Sequence, residues 1–182
     1  RQTAAQLAPH AARFSPGFHI GVNITARHCQ DMALVQDCRE FLAAFPPGQV
    51  TLVLELTERE LIEPTETTRR LFEALHDLGV MIAIDDFGTG HSSLGYLRNF
   101  NVDYLKIDQS FVAMIGADAL SRHILDSIIE LSVKLDLGIV AEGVETAQQC
   151  EYLVAQGVDF LQGYLFGRPL PCDEFIKSLG GE

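Results

Sequence analysis

Short apolar runs rich in β-branched residues alternate with amphipathic segments along the whole chain. The apolar runs predict six strands, at residues 18–24, 50–56, 80–85, 103–107, 137–141 and 158–161. Helical periodicity falls between them, at about 30–45, 65–78, 92–99, 118–136 and 146–156. Strands that alternate with helices predict an α/β fold with a parallel sheet and helical crossovers.

The segment 118–136 has the clearest helical pattern. Asp118 is its expected N-cap, because a short carboxylate side chain accepts hydrogen bonds from the first free amides of a helix. The spacing of one helix face, about 3.6 residues, is roughly followed by the apolar residues Leu120, Ile124, Ile128, Val133 and Leu135. The first residues, RQTAAQLAPHAARF, are typical of the end of a helix.

Composition narrows the classes of protein. A chain of 182 residues with 47% hydrophobic residues can bury one core, so we expect a single domain over residues 1–182, the C-terminal module of a longer protein. The net charge of −12 argues against a surface for a nucleic-acid polymer. No apolar run is long enough to span a bilayer, so we expect a cytoplasmic domain without membrane contact of its own; an anchor elsewhere in a longer protein stays open. The four cysteines lack C-x-x-C spacing and fit reduced thiols.

Polar residues stand at the carboxyl end of every predicted strand. In a parallel α/β barrel these ends open onto one face, where active sites lie. One such residue is often only a helix cap, but six strands in succession favour a functional site. The residues are Asn23, Glu55, Asp85, Asp86, Lys106, Asp108, Glu142 and Gln162.

The chemistry of this set indicates divalent cations. Carboxylate and amide oxygens are hard ligands, which favour Mg²⁺ or Mn²⁺ over zinc. Asp85 and Asp86 are adjacent and repel each other unless cations lie between them. Two ions roughly 3.5–4 Å apart suit displacement at phosphorus. Lys106 lies inside an apolar strand, which indicates a buried group that stabilises a transition state or holds a nucleophile.

Six ordered motifs carry a resemblance to a known family. They are NITA at 23–26, ELTE at 55–58, DDFGTGHSS at 85–93, KIDQSFV at 106–112, AEGVET at 141–146 and QGYLFGRPL at 162–170. The chain resembles the EAL-domain phosphodiesterases, which hydrolyse the bacterial second messenger cyclic di-GMP to linear pGpG. The resemblance implies a variant TIM barrel with one antiparallel strand, and a homodimer for the full-length protein.

Carried over by position, the resemblance implies a role for each residue. Two Mg²⁺ or Mn²⁺ ions would be bound by Asn23, Glu55, Asp85, Asp86, Asp108 and Glu142, with Asp85 as the bridge. Lys106 and Glu142 would order or deprotonate the attacking water; Glu145 completes the catalytic set, and Gln162 would contact the substrate. Glu58 would anchor a mobile loop that links the metal site to the dimer interface, with Phe87, Gly88, Thr89 and Gly90 in that loop.

The Glu-Ala-Leu motif that names the family is not found at its expected place. Glu73, Ala74 and Leu75 match it by chance inside an amphipathic segment, with Leu71, Leu75 and Leu78 toward the core and Glu73 in solvent. Six strands and 182 residues compare with eight strands and roughly 250 residues in a full barrel. We therefore expect about the first two strands, and one metal ligand, to precede residue 1. Residues 1–182 alone would then have little catalytic activity.

Two other classes of function stay open. One is a non-catalytic EAL module that binds cyclic di-GMP or a protein partner, although such modules typically lose metal ligands and this sequence keeps them. The other is an unrelated Mg²⁺-dependent barrel enzyme, such as an enolase-type lyase, which the six ordered motifs do not fit. A nucleotide-turnover assay separates the three.

Overall fold

The computed structural model describes residues 2–58, 64–89, 97, 100–116 and 119–179. Among them are six strands: β1 (Phe18–Asn23), β2 (Val50–Thr57), β3 (Met81–Phe87), β4 (Tyr104–Ile107), β5 (Gly138–Ala141) and β6 (Phe160–Leu161). Each strand predicted from the sequence is confirmed, with its ends moved by no more than two residues.

The helices agree with the sequence less closely. In the described residues they are α1 (Gln2–Leu7), α2 (Ala33–Leu42), α3 (Glu66–Asp77), α4 (Gln109–Ala113), α5 (Ala119–Lys134), α6 (Ala147–Ala155) and α7 (Cys172–Ser178). The helical start of the chain is confirmed, and a 3₁₀ helix at Ala8–Arg13 follows it. The sequence analysis missed α4 and α7, and the predicted helix 92–99 falls mostly outside the described residues.

The chain divides into two compact units. The first comprises Arg1–Glu55, Ile62–Met81 and Pro169–Glu182, and the second comprises Leu56–Leu61 and Ile82–Arg168. In the first unit β1 and β2 pair in parallel, with Asn23 opposite Glu55 at their carboxyl ends. Helices α2 and α3 pack together there.

Leu71 and Leu75 of α3 are buried as expected, whereas Leu78 is half-buried and Glu73 is exposed. The Glu73-Ala74-Leu75 match is thus part of a helix.

In the second unit β3, β4, β5 and β6 pair in parallel in chain order. Two aspartates at the amino ends of strands fix this register. Asp103 accepts a hydrogen bond from the Ile82 amide at 2.7 Å, and Asp159 accepts one from the Ile139 amide at 2.8 Å. The strands' apolar side chains, among them Leu105 and Ile139, are buried. Each strand therefore delivers its carboxyl-terminal residues at a defined position.

The predicted buried face of α5 is wrong in part. Ile128 is buried, but Ile124, Val133 and Leu135 are 44%, 66% and 43% exposed. The observed buried positions follow the i, i+3, i+4, i+7 spacing of one helix face: Leu125, Ile128, Ile129 and Ser132. The hydroxyl of Ser132 fits inside because it donates to the Ile128 carbonyl at 3.0 Å. Asp118 and the side chain of Leu120 lie outside the described residues.

Candidate functional site

A buried lysine lies between two carboxylates at the carboxyl ends of neighbouring strands. Lys106 of β4 is 3% exposed. Its Nζ lies 2.7 Å from Glu142 Oε1, just after β5, and 3.1 Å from Asp85 Oδ1 on β3. An ammonium group in an apolar strand costs several kcal/mol unless it is paired, and here it has two partners. The burial of Lys106 expected from the sequence is confirmed.

Three carboxylates, two of them the partners of Lys106, lie close enough to one another to hold a cation. Asp85, Asp86 and Glu142 each offer an oxygen, and these oxygens lie within 4.8 Å of one another. Asp86 adopts a left-handed backbone conformation, with φ at 56°, which is uncommon without glycine. Its amide donates to Asp85 Oδ1 at 2.9 Å. The donor set is oxygen only, as Mg²⁺ or Mn²⁺ prefers, so the residues fit the expected metal.

Glu58 anchors the turn that follows β3. It is 6% exposed, and its Oε2 accepts from the Gly88 amide at 2.7 Å. Gly88 has φ at +93°, and a Cβ there would lie 2.9 Å from the ring of Phe111, so glycine is required twice over. Thr89 closes the turn onto the Asp86 carbonyl.

The loop assignment needs one correction. Phe87 does not belong to a loop: it is the last residue of β3 and is buried. The strand runs two residues past its predicted end. Its pairing with β4 shifts register between Ile84 and Phe87, where Asp86 has a positive φ, and Phe87 then pairs with Ile107. Gly90 and the rest of the expected loop lie outside the described residues.

Asp108 caps a helix. Its Oδ1 accepts from the Ser110 amide at 2.9 Å and from the Ser110 hydroxyl, so it is the N-cap of α4. Asp108 is not part of the three-carboxylate cluster found among the described residues. A role in metal binding stays a prediction for this residue.

The loops after β5 and β6 interlock. The Val144 amide donates to the Gln162 carbonyl at 3.0 Å, and the Leu165 amide donates to the Val144 carbonyl at 3.0 Å. A Cβ on Gly163 would lie 2.2 Å from backbone atoms of Val144, so only glycine permits this approach. The structure therefore brings Glu142 and Gln162 onto loops in direct contact, while Glu145 is exposed.

Asn23 and Glu55 belong to the first unit. They stand side by side in the register of β1 and β2, and Glu55 is half-buried. A Cβ on Gly21 would lie 2.3 Å from Glu55 Oε1, so the carboxylate of Glu55 lies over the glycine. Their shared binding of an ion with Asp85 stays a prediction.

One residue with a role in this region was missed. Gln149 bonds to the loop that carries Glu142 and to α4. The T-x-x-Q sequence of Thr146–Gln149 is a capping-box signature, so the bonds of Gln149 within its own helix turn could have been predicted from the sequence.

Comparison with known proteins identifies the family. The model of the EAL domain matches residues 1–169. The chain belongs to the EAL domain family. It is 43% identical over 178 residues to the cyclic di-GMP phosphodiesterase PdeL of Escherichia coli, covering 98% of this chain and 49% of PdeL.

Solved EAL structures have the same fold. The EAL domain of Mycobacterium smegmatis DcpA superposes with a TM-score of 0.86 at 34% identity, covering 98% of this chain and 80% of that one. Klebsiella pneumoniae BlrP1, solved as a complex with manganese and cy-diGMP, gives 0.75 at 32% identity, covering 91% and 42%. The expected fold class, a TIM-barrel variant of EAL type, is confirmed.

The chain corresponds to only part of the length of its relatives. The chain spans half or less of the length of PdeL and of the related phosphodiesterases PdeG and PdeN. In the part of the chain that the structure describes, no helix has both the length and the hydropathy to cross a membrane.

Proposed function

We propose that the protein carrying this EAL domain hydrolyses cyclic di-GMP to linear pGpG in bacterial second-messenger signalling. The observation that carries the proposal is the ion-paired cluster of Lys106, Asp85 and Glu142 at the carboxyl ends of three adjacent strands of one unit. A degenerate binding module would not need to keep a buried lysine poised between carboxylates, because substrate binding alone does not require it. Family membership and the name of PdeL support the substrate.

The cations belong to the proposal as well. The three-carboxylate cluster fits Mg²⁺ or Mn²⁺, and the neighbour BlrP1 was solved with manganese. Asp85, Asp86 and Glu142 would hold the metal, with Asn23, Glu55 and Asp108 as further ligands for a second ion. Bound at these oxygens, the ions would lower the pKa of the attacking water and neutralise charge on the phosphoryl oxygens.

Each of the chain's own side chains would have a separate role in the reaction. Glu142 would accept the proton of the attacking water, and the ammonium of Lys106, whose Nζ lies 2.7 Å from Glu142 Oε1, orients that carboxylate. Lys106 would also stabilise the negative charge that develops on phosphorus-bound oxygen. Gln162 would contact the nucleotide, and Glu145 would complete the catalytic set beside it. Glu58 would hold the turn at Gly88 and so keep Asp85 and Asp86 in place.

Two further parts of the proposal rest on the family resemblance alone. The full-length protein would be a homodimer, and the domain would lie in the cytoplasm, with any inner-membrane anchor elsewhere in the protein.

The test is turnover of cyclic di-GMP by the purified full-length protein with Mg²⁺ or Mn²⁺, with pGpG followed by chromatography. Asp85→Asn should abolish hydrolysis and weaken Mn²⁺ binding in a calorimetric titration, because a central ligand loses its charge. Glu130→Gln removes the same charge from an exposed surface position and should leave both unchanged. Wild-type turnover in Asp85→Asn would refute the site, and binding of cyclic di-GMP without turnover in the wild type would favour the non-catalytic module.

A further inference from the structure

The segment Glu142–Thr146, which carries two of the proposed catalytic carboxylates, lies against the start of α4. The Glu142 amide donates to the Ile107 carbonyl at 3.1 Å. Gly143 has φ at +69°, and a Cβ there would lie 2.5 Å from Cβ of Gln109 and 3.2 Å from its Cα. The segment therefore follows α4 at backbone contact distance, directly beyond the strand of Lys106.

Gln149 ties these two segments together with both ends of its side-chain amide. Its Oε1 accepts from the Glu145 amide at 2.8 Å and from the Thr146 amide at 3.0 Å. Its Nε2 donates to the Val112 carbonyl of α4 at 3.3 Å, across 37 positions in the chain.

The bonds of Gln149 serve two different purposes. The bonds to Glu145 and Thr146 belong to a capping box. In the same box, the backbone amide of Gln149 donates to the Thr146 hydroxyl at 3.2 Å. A capping box stabilises the first turn of α6 and needs no partner outside that turn. The bond to Val112 adds nothing to the cap. That carbonyl also accepts from the Ile115 amide at 3.1 Å, and a carbonyl can accept two bonds.

We propose that Gln149 is a positioning residue for the reaction: through its bond to Val112 it fixes the Glu142–Thr146 segment against α4, and so holds Glu142 at its distance from Lys106. The role rests on the proposed hydrolysis. Because a misplacement of about 1 Å can lower a catalytic rate by about 10²-fold, losing this bond should reduce turnover more than stability.

The side chain allows the two purposes to be separated. Gln149→Glu keeps the acceptor oxygens, and glutamate is a normal capping-box residue at this position, but it cannot donate to Val112. Gln149→Ala loses the box and the bridge together. Gln148 is the neighbouring residue on the same helix and is exposed, so Gln148→Ala and Gln148→Glu are controls matched in residue type, helix position and charge.

Four quantities are measured on the full-length protein: kcat, KM, the melting temperature and the ¹³C chemical shift of the Val112 carbonyl, which reports its hydrogen bonding. Both Gln149 variants should show about a tenfold lower kcat, a KM within about twofold of wild type, and a shifted Val112 carbonyl resonance. Only Gln149→Ala should lower the melting temperature appreciably. The Gln148 variants should match wild type in all four.

Two results would overturn the inference. Wild-type kcat in Gln149→Glu would mean that the capping box is the whole role of Gln149. An unchanged Val112 carbonyl shift in both Gln149 variants would mean that the bridge does not form. If wild-type protein shows no hydrolysis at all, the proposed function fails by itself, and the Val112 shift still decides whether the bridge exists.

Discussion

Replacing Lys106 by methionine tests the electrostatic design of the site without relying on catalysis. Methionine keeps most of the length and the apolar stem of lysine, so the variant removes mainly the charge. Without the ammonium, Asp85 and Glu142 lose the cation that lies 3.1 and 2.7 Å from their oxygens. In the absence of metal these carboxylates, with Asp86 nearby, are left to repel one another.

The magnitude follows from burial. Lys106 is 3% exposed, so its ion pairs belong to the buried class, and removing one partner of such a pair costs about 3–5 kcal/mol in the free energy of unfolding. At an effective dielectric constant near 20, the Coulomb attraction at these distances is about 5–6 kcal/mol for each pair before desolvation is subtracted, so a net value of about 3–5 kcal/mol is of the expected size. For a chain of this size the loss corresponds to a melting temperature lower by about 10 °C.

The assay is urea unfolding in EDTA, which needs neither substrate nor metal. Lys134→Met is the matched control, because Lys134 lies 3.4 Å from Glu130 in an i,i+4 pair whose side chains are 74% and 70% exposed. That pair should be worth only about 0.3–0.5 kcal/mol. The two substitutions therefore compare a buried lysine held between two carboxylates with an exposed lysine paired with Glu130 on a helix.

A double-mutant cycle sharpens the comparison. Adding Glu142→Gln to Lys106→Met removes one of the unpaired carboxylates, so the double variant should be more stable than the sum of the single losses predicts, by about 1 kcal/mol or more. If Lys106→Met unfolds within about 1 kcal/mol of wild type, or no more easily than Lys134→Met, the buried ion pairs are not what stabilises the site.

Three further predictions concern the same unit and its neighbours. Lys106→Ala in the full-length protein should lower kcat by ~10² or more with much of the nucleotide affinity retained, whereas equal losses of both in steady-state and binding assays would make it a ground-state phosphate contact. Gly88→Ala should cost at least about 1 kcal/mol more in thermal unfolding than Gly79→Ala, because both have positive φ but only the first meets a ring at 2.9 Å; equal costs would rule out the contact. Burial, and the hydrogen bond to Asp126, raise the pKa of Tyr152 from 10.0 to about 12, so the stability it provides is complete below pH 10 and is lost as pH rises toward 12. The difference in unfolding free energy between wild type and Tyr152→Phe should shrink over that range, and a constant difference would contradict the shift.

The strands could be predicted from the sequence because their signal is local. A run such as VTLVLEL at 50–56 is apolar and β-branched wherever it occurs, and it forms β2. The burial of Lys106 could be predicted as well, because the strands of a parallel sheet between helices are buried on both faces. The position of α7 could also have been found, because Pro171 precedes it and Asp173 and Glu174 occupy its first turn.

The remainder depends on contacts that leave no local pattern. Helix α4 has five residues, too few for a periodic signal, so the sequence could not distinguish Asp108 as its cap from Asp108 as a metal ligand. The face of α5 was misjudged because apolar residues lie on two sides of it, and only packing selects Leu125 and Ile129 over Val133. The bond from Gln149 to Val112 joins residues 37 positions apart.

The charge of the described cluster bears on how many ions the domain can hold. Asp85, Asp86 and Glu142 carry three negative charges, and Lys106 between them supplies one positive charge, so two negative charges remain. One divalent ion neutralises these two negative charges. A second divalent ion would give the cluster a net charge of +2, so it would be bound only if further oxygen ligands joined the site. The phosphates of a bound nucleotide are one source of such oxygens. On this charge balance we expect one ion to bind at the cluster around Lys106 and a second, weaker ion to bind together with the nucleotide phosphates.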